Sequence, residues 1–265
     1  MSDSKSFQEF LDNGQYSKNG VERYEWIFGE TFLSSGGMAI TPKVLRHADL
    51  GSNPKVLDIG SGLGGHSFLI ADNFDAEVIG IDLSVNMMDI ANKHLENRPH
   101  LKDRVSFRIE DYTKSDFPAG TFDMVYSRDS FIHITDKVSL FKNIYKWLKP
   151  GGYFLFTDYV RGEDETKYST EFREYLKKRG YNMSTITEYK KILKSAGFRD
   201  FEVKDWGVEW KNILQVEVNR LRSSKQVFLR RFSRQDFDDL ESGWLNKIRR
   251  VDDGVQGWVL TFARK

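Results

Sequence analysis

Cysteine is absent from these 265 residues, which excludes disulfides, thiolate metal sites, iron–sulfur clusters and a cysteine nucleophile, and fits a reducing compartment. Net charge is nearly absent too. Forty Lys and Arg stand against 39 Asp and Glu, leaving +1, too little for the broad positive field that general nucleic-acid binding needs. No apolar run approaches the roughly 18 residues of a membrane span. The opening MSDSKSFQEF lacks the basic start and apolar stretch of a signal peptide. Repeats, low-complexity tracts and linkers are missing as well. What remains is a cytoplasmic protein, expected to be monomeric, whose partners are small molecules and which needs neither nucleic acid nor a membrane span. At about 100 to 200 residues per domain, the length gives one large domain or one domain with a sizeable insertion.

From residue 54 onward, short β-rich apolar runs alternate with glycine turns and helical periods, the rhythm of βα units around a parallel sheet. Strands are predicted at 55–59, 77–81, 104–109, 122–127, 153–157, 198–204 and 258–262. Helices are predicted at 64–73, 86–95, 137–148 and 187–195, and a long helical stretch runs from about 208 to 250. The turn Lys149-Pro150-Gly151-Gly152 is expected to lead into the fifth strand. Residues 163–181 are charged, with Tyr168, Phe172 and Tyr175 at helical spacing, and read as an insertion over the carboxyl edge of the sheet. Within 204–250, Lys and Arg outnumber Asp and Glu by 11 to 7, which reads as a solvated helix face.

The segment Val56-Leu57-Asp58-Ile59-Gly60-Ser61-Gly62-Leu63-Gly64-Gly65 falls at the strand-to-helix turn where an open parallel sheet binds nucleotide-like ligands. Gly60, Gly62 and Gly65 also satisfy the dinucleotide fingerprint. Asp82, 22 residues after Gly60, would accept hydrogen bonds from a ribose in either case. Two further acids favour S-adenosylmethionine over NAD. Asp58, before the first glycine, can take the methionyl ammonium, and Asp111, after the third strand, the adenine amino group. Asp82 or Asp111 singly could merely cap a turn; three acids at the ends of successive strands are hard to explain that way.

Through DIGSGLGG, GIDLS, EDY and LKPGG the sequence resembles the class I S-adenosylmethionine-dependent methyltransferases. The resemblance implies an α/β, Rossmann-like, mostly parallel seven-stranded sheet with flanking helices and a helical cap over the active site. It also implies a cofactor bordered by Gly64, Leu83 and Tyr112 besides the residues above, with no metal.

Asp129 and His133 follow the fourth strand at i and i+4. If a helix begins there, both side chains share one face beside the sulfonium methyl. Amine methylation needs a free nitrogen lone pair, whereas an alkylammonium near neutral pH is almost wholly protonated. Asp129 could orient the ammonium and His133 could take its proton. The plainer alternative is a turn-capping Asp129 and a packed histidine.

A closer resemblance lies in Gln15-Tyr16, Tyr24-Glu25-Trp26-Ile27-Phe28-Gly29-Glu30 and Ser34-Ser35-Gly36-Gly37, together with Tyr126-Ser127-Arg128-Asp129, Thr157-Asp158-Tyr159, Lys178-Arg179-Gly180-Tyr181 and Gly243-Trp244 with Lys247. These look like the phosphoethanolamine N-methyltransferases, over about residues 10 to 262. The resemblance implies that Tyr16 pairs with His133 as a catalytic latch and that Asp129 holds the amine. It implies that Gln15, Tyr24, Tyr159, Arg179, Tyr181 and Lys247 clamp a phosphate, and that Ser34 and Arg128 help build the cofactor site. It divides a single 1–265 domain into an N-terminal helical lid (1–50), a cofactor-binding core (54–160) and a substrate-binding insertion with C-terminal strands (161–265). The expected activity is S-adenosylmethionine-dependent methylation of phosphoethanolamine toward phosphocholine. The alternatives are methylation of another small amine or a sterol, or a catalytically silent adenosylmethionine-binding module.

Overall fold

A computed structural model describes residues 4–14 and 16–265. Three helices come first, α1 (Ser4–Asn13), α2 (Lys18–Phe28) and α3 (Gly37–Leu45). The sheet region then runs β1 (Lys55–Ile59), α4 (Gly65–Phe74), β2 (Glu77–Asp82), α5 (Val85–Glu96), β3 (Val105–Ile109), β4 (Phe122–Arg128), α6 (Lys137–Trp147) and β5 (Leu148–Arg161). The last part comprises α7 (Thr170–Arg179), α8 (Ile186–Ala196), β6 (Asp200–Asp205), α9 (Gly207–Ser223), α10 (Lys225–Phe228), α11 (Arg234–Asp252) and β7 (Gln256–Arg264).

The seven strands form one sheet in the order β3-β2-β1-β4-β5-β7-β6, parallel except at β7, which is antiparallel to both β5 and β6. The chain winds outward from β1 to β2 and β3, then crosses back to place β4 on the other side of β1. That reversal opens a crevice beyond the carboxyl ends of β1 and β4, where ligands bind in open α/β sheets. Side chains alternate between the two faces of each strand. Val56 joins the core cluster packed under α3, α4, α9 and α11, whereas Leu57 and Ile59 join the opposite cluster under α6 and α8.

The mostly parallel seven-stranded α/β sheet expected from the sequence is the fold observed, with strand ends moved by two residues or fewer, β5 excepted. There the Lys149-Pro150-Gly151-Gly152 turn is not a break before the strand but a bulge within it. Pairing jumps from Phe122↔Leu148 to Met124↔Tyr153, so the extra residues loop out against Asp123, with Gly151 at φ +78°. The long helical stretch is also interrupted, giving α9, the short α10 and α11. Ser233 restarts it with a capping box, its side chain accepting from Asp236 N while the Asp236 carboxylate accepts from Ser233 N.

The amino-terminal helices lie against the crevice through specific contacts. Gln8 donates to the Leu83 carbonyl at 2.7 Å, and Asp12 accepts from the Ser84 hydroxyl and from Val85 N at 3.1 Å. Asn86 donates to the carbonyls of Asp12 and Tyr16 at 3.2 and 3.0 Å. Asp12 thus sets its negative charge at the amino terminus of α5, where the helix dipole favours it.

Candidate active site

Beyond β1 and β4 lies a cavity of about 510 Å³, bordered by the glycine loop, by Asp82, Leu83, Asp111 and Tyr112, and by Ser34, Arg128, Asp129, His133 and Tyr16. Phe7 and Leu11 of α1 close it from above. Two glycines shape its floor. Gly60, at φ +68°, lets the Ser130 turn approach so closely that a Cβ there would lie 2.4 Å from Ser130 Cβ. Gly62, at φ +54°, leaves open space, with nothing nearer than 3.8 Å to its missing Cβ, so a ligand can lie against the backbone.

The acids divide. Asp82 Oδ1 accepts from Ser84 N at 2.9 Å and Oδ2 from Gly62 N at 3.1 Å, which aims the carboxylate at the cavity; burial pushes its pKa up to about 6. Asp111 also borders the cavity while accepting from Thr113 N and Oγ1, so it is a turn cap and a cavity wall together. Asp58 and Gly64 stand behind the wall rather than on it. Asp58 shares a strand face with Val56, under α4, and there accepts from the Ser67 hydroxyl at 2.6 Å; burial raises its pKa to about 7. Gly64 meets Phe107 and Phe68, the first only 2.5 Å from where a Cβ would stand, so it serves packing.

Asp129 and His133 do not share an α-helical face, because the chain forms only a 3₁₀ turn, Phe131–His133, after Asp129. Asp129 instead sits at φ +56°, a strained conformation for a non-glycine residue. Three hydrogen bonds hold it there. Its N–H donates to the Thr157 carbonyl at 2.8 Å, and its Oδ1 accepts from Thr157 Oγ1 and Trp258 Nε1, both at 2.7 Å. Oδ2 is buried without a hydrogen-bond partner.

His133 Nε2 lies 3.5 Å from the Tyr16 hydroxyl, at the long limit of hydrogen bonding. Burial pushes the Tyr16 pKa well above the usual phenol range, so its phenol keeps its proton. Burial lowers His133 to about 4, with Lys137 and Arg179 acting in the same sense and the Gly180 backbone opposing, although no well-formed hydrogen bond reaches Nδ1. The imidazole is therefore neutral at pH 7. Ser34 hydrogen-bonds His66 of α4 at 2.7 Å, and Arg128 donates to the Ser35 carbonyl at 2.9 Å and to Thr157 Oγ1 at 2.7 Å; both wall the cavity, the first tying the turn before α3 to α4 and the second tying it to β4 and β5.

A second, small cavity of about 40 Å³ adjoins the first, sharing Tyr16, Leu33 and Asp129 with it. Tyr24, Tyr159, Arg179, Tyr181 and Lys247 meet here, from α2, β5, α7, the segment after α7, and α11. At about 10 to 15 Å³ per water it has room for roughly three waters, the scale of a phosphate group. Arg179 donates to Tyr24 Oη at 3.2 Å, and the Lys247 ammonium stands 4.1 Å above the Trp244 ring and 5.7 Å from that of Tyr159. Neither cation is in contact with a carboxylate among the described residues. Gln15 lies outside those residues. Tyr175, which also lines the cavity, was read from the sequence only as part of the insertion. Its place four residues before Arg179, on the same face of α7, was the signal that marked it. His66 escaped the sequence reading altogether.

A family model described as a methyltransferase domain matches residues 50–216. Phosphoethanolamine N-methyltransferase of Plasmodium falciparum is 40% identical over 262 residues, covering 98% of this chain and 97% of that protein. The chain belongs to the phosphoethanolamine N-methyltransferase family. Phosphoethanolamine N-methyltransferase 3 of Arabidopsis thaliana is 43% identical across 98% of the chain, and the chain spans only 52% of that protein. About half the length of such plant relatives is therefore matched. The Haemonchus contortus phosphoethanolamine N-methyltransferase 2, solved with phosphomonomethylethanolamine and S-adenosylhomocysteine, superposes with a TM-score of 0.94 at 36% identity, over 98% of this chain and 60% of that one. Among the described residues no helix is long and apolar enough to cross a membrane, and no cluster of three His, Cys, Asp or Glu could hold a metal ion.

Proposed function

We propose that this chain transfers a methyl group from S-adenosylmethionine to the nitrogen of phosphoethanolamine, continuing through the mono- and dimethyl forms to phosphocholine. The observation that carries the reading is the small cavity. Two cations with no carboxylate in contact, and four tyrosines beside them, wall a phosphate-sized space that opens at Asp129 and Tyr16 onto the larger one. Guanidinium, ammonium and phenol donors suit a phosphate dianion through charge-assisted hydrogen bonds. The ligands of the Haemonchus relative support the same pairing of sites.

S-adenosylmethionine, when bound, supplies an electrophilic methyl on a cationic sulfur. Asp82 would accept from the ribose hydroxyls, and Asp111, Tyr112 and Leu83 would border the adenine. Ser34, Arg128 and the backbone of Gly60 and Gly62 would enclose the rest. Asp129 Oδ2, buried and unpartnered, would receive the substrate ammonium and aim its nitrogen at the methyl. Loss of water around that ammonium favours its neutral form, and His133, neutral at pH 7, offers a lone pair for the proton. Tyr16 would hold the ring. The nitrogen then forms its bond to carbon as the carbon–sulfur bond breaks, its electron pair remaining on sulfur.

We also take residues 1–50 as a lid, 54–160 as the cofactor core and 161–265 as the substrate-binding part of one domain, working as a monomer in the cytoplasm. The deciding experiment incubates the protein with adenosylmethionine and, separately, phosphoethanolamine, its mono- and dimethyl forms, ethanolamine, glycine and a sterol, with products read by mass spectrometry. Product from the three phosphorylated amines is expected. Glycine, ethanolamine or sterol methylated as well as phosphoethanolamine would replace the reading with a small-amine or sterol enzyme, and no product at all would leave a binding module.

A further inference from the structure

Glu217 is a buried carboxylate that this chemistry leaves unused, and its hydrogen bonds join elements that wall the two cavities. It lies in α9, 4% exposed, and each oxygen is taken by an N–H from a different direction. Oε1 accepts from Gly36 N at 2.8 Å, and Oε2 accepts from Trp244 Nε1 at 2.7 Å. Gly36 belongs to the turn that carries Ser34, on the wall of the large cavity, and Ser35, whose carbonyl accepts from Arg128. Trp244 precedes Lys247 by one turn of α11, and the Lys247 ammonium rests over its indole. A single carboxylate thus ties the turn beside one cavity to the cation of the other.

The two charges act on each other. Burial pushes the Glu217 carboxyl up to about 7, against its two hydrogen bonds and the nearby cations Lys247 and Arg220. Burial pulls Lys247 down to about 8, Arg179 and Arg250 adding to it, while Glu217 and Asp129 oppose.

We propose that Glu217 is a positioning residue for the substrate phosphate: it fixes Trp244 beneath the Lys247 side chain and supplies the counter-charge that keeps this ammonium charged in the clamp. The inference rests on the phosphate reading of the small cavity given above. The residue type follows from the partners. Both groups that reach it are donors, so a carboxylate satisfies both, whereas the amide of a glutamine would present its own N–H to one of them. A buried acid is costly to keep charged, and hydrogen bonding alone gives no reason to set it beside the clamp's lysine.

The test follows KM for phosphoethanolamine in wild type and Glu217→Gln from about pH 6.5 to about pH 9; the substrate's own ionisations cancel in the comparison. Removing the carboxylate removes what holds the Lys247 ammonium charged. KM in the variant should therefore begin to climb about one pH unit earlier and stand roughly fivefold above wild type near pH 8, with kcat little changed. In a Lys247→Met background the same substitution should displace nothing. An unshifted profile in an active Glu217→Gln enzyme overturns the inference and leaves the proposed function intact; a wild type that does not methylate phosphoethanolamine overturns both. Should Glu217→Gln fail to fold, Trp244→Phe keeps the aromatic support and removes one donor to the carboxylate. Its KM profile should move the same way, and an unmoved profile there overturns the inference equally.

Discussion

His133 illustrates how one residue's surroundings set what it can do. A histidine at pKa of about 4 is a weak base in free solution, yet it is reliably unprotonated at pH 7, which a proton acceptor inside a closed site requires. His133→Ala should lower kcat about a hundredfold or more with little change in cofactor affinity, and Tyr16→Phe should act in the same direction. Steady-state kinetics beside cofactor calorimetry checks this; normal turnover in either variant removes the pair from the mechanism. Arg179 predicts a different signature. In the proposed clamp its contacts with the unreactive phosphate would be equal in ground and transition states, so Arg179→Ala should raise KM about ten- to a hundredfold while kcat holds, and any activity with ethanolamine should barely move. A kcat loss at unchanged KM would refute that assignment. At this scale the sequence was legible in which side chains border the large cavity, as at Asp82, Asp129 and His133. It was not legible where a backbone turn decides direction: Asp129 reaches the site through a left-handed φ and a 3₁₀ turn, and Asp58 is turned to Ser67 by the parity of its strand.

The elements follow from local pattern more faithfully than their ends do. Apolar runs and glycine turns announce β1, β2 and β4 because each is buried on both faces, the edge strand β3 shows only a weaker alternation, and the pattern says little about β5, whose bulge depends on its partner strand. The placement of α1 was beyond reach for the same reason. Nothing in residues 4–13 indicates that Asp12 will meet Ser84 and Val85, some seventy positions later. Those contacts fasten the helix whose Phe7 and Leu11 roof the large cavity and which leads into Tyr16. Asp12→Ala removes a hydroxyl partner and a charge at the start of α5, together worth about 1 to 2 kcal/mol. Helix α1 should detach about tenfold more often, so stopped-flow dissociation of adenosylmethionine should quicken by that factor while circular dichroism keeps the native signal. An unchanged dissociation rate would show that the cofactor leaves by another path.

Over the whole molecule, the buried ionisable groups set how stability varies with pH. Asp58, Asp82 and Glu217 are raised by burial to between about 6 and 7, and Asp158, beside Tyr189 and Lys137, to about 8. An acid whose pKa is higher in the folded state keeps its proton after the unfolded chain has lost it, near pH 4. Stability from these four is present below that point and is lost as pH rises through the folded values. His133 and His66, both lowered by burial, act oppositely: the unfolded chain takes up protons first, so their contribution is lost as pH falls below about 6.5. Between about pH 5 and 6.5 the four acids outweigh the two histidines, so stability already falls as pH rises. Above 6.5 the histidines are silent in both states and only the acids act, at up to about 1.4 kcal/mol per pH unit for each proton retained. The ligand-free protein should therefore melt highest near pH 5 or below and lose stability steadily toward pH 8, with Lys247, lowered to about 8, reversing the trend beyond it. Melting scans in overlapping buffers of constant ionic strength measure this directly. The downward slope should be shallower in Asp158→Asn, and shallower again in Asp158→Asn combined with Glu217→Gln, because each substitution removes a proton that the folded state alone retains. A melting temperature that rises between pH 6.5 and 8 would mean that these acids are ionised in the folded protein, and that Asp82 carries its charge at the cavity wall before any ligand binds.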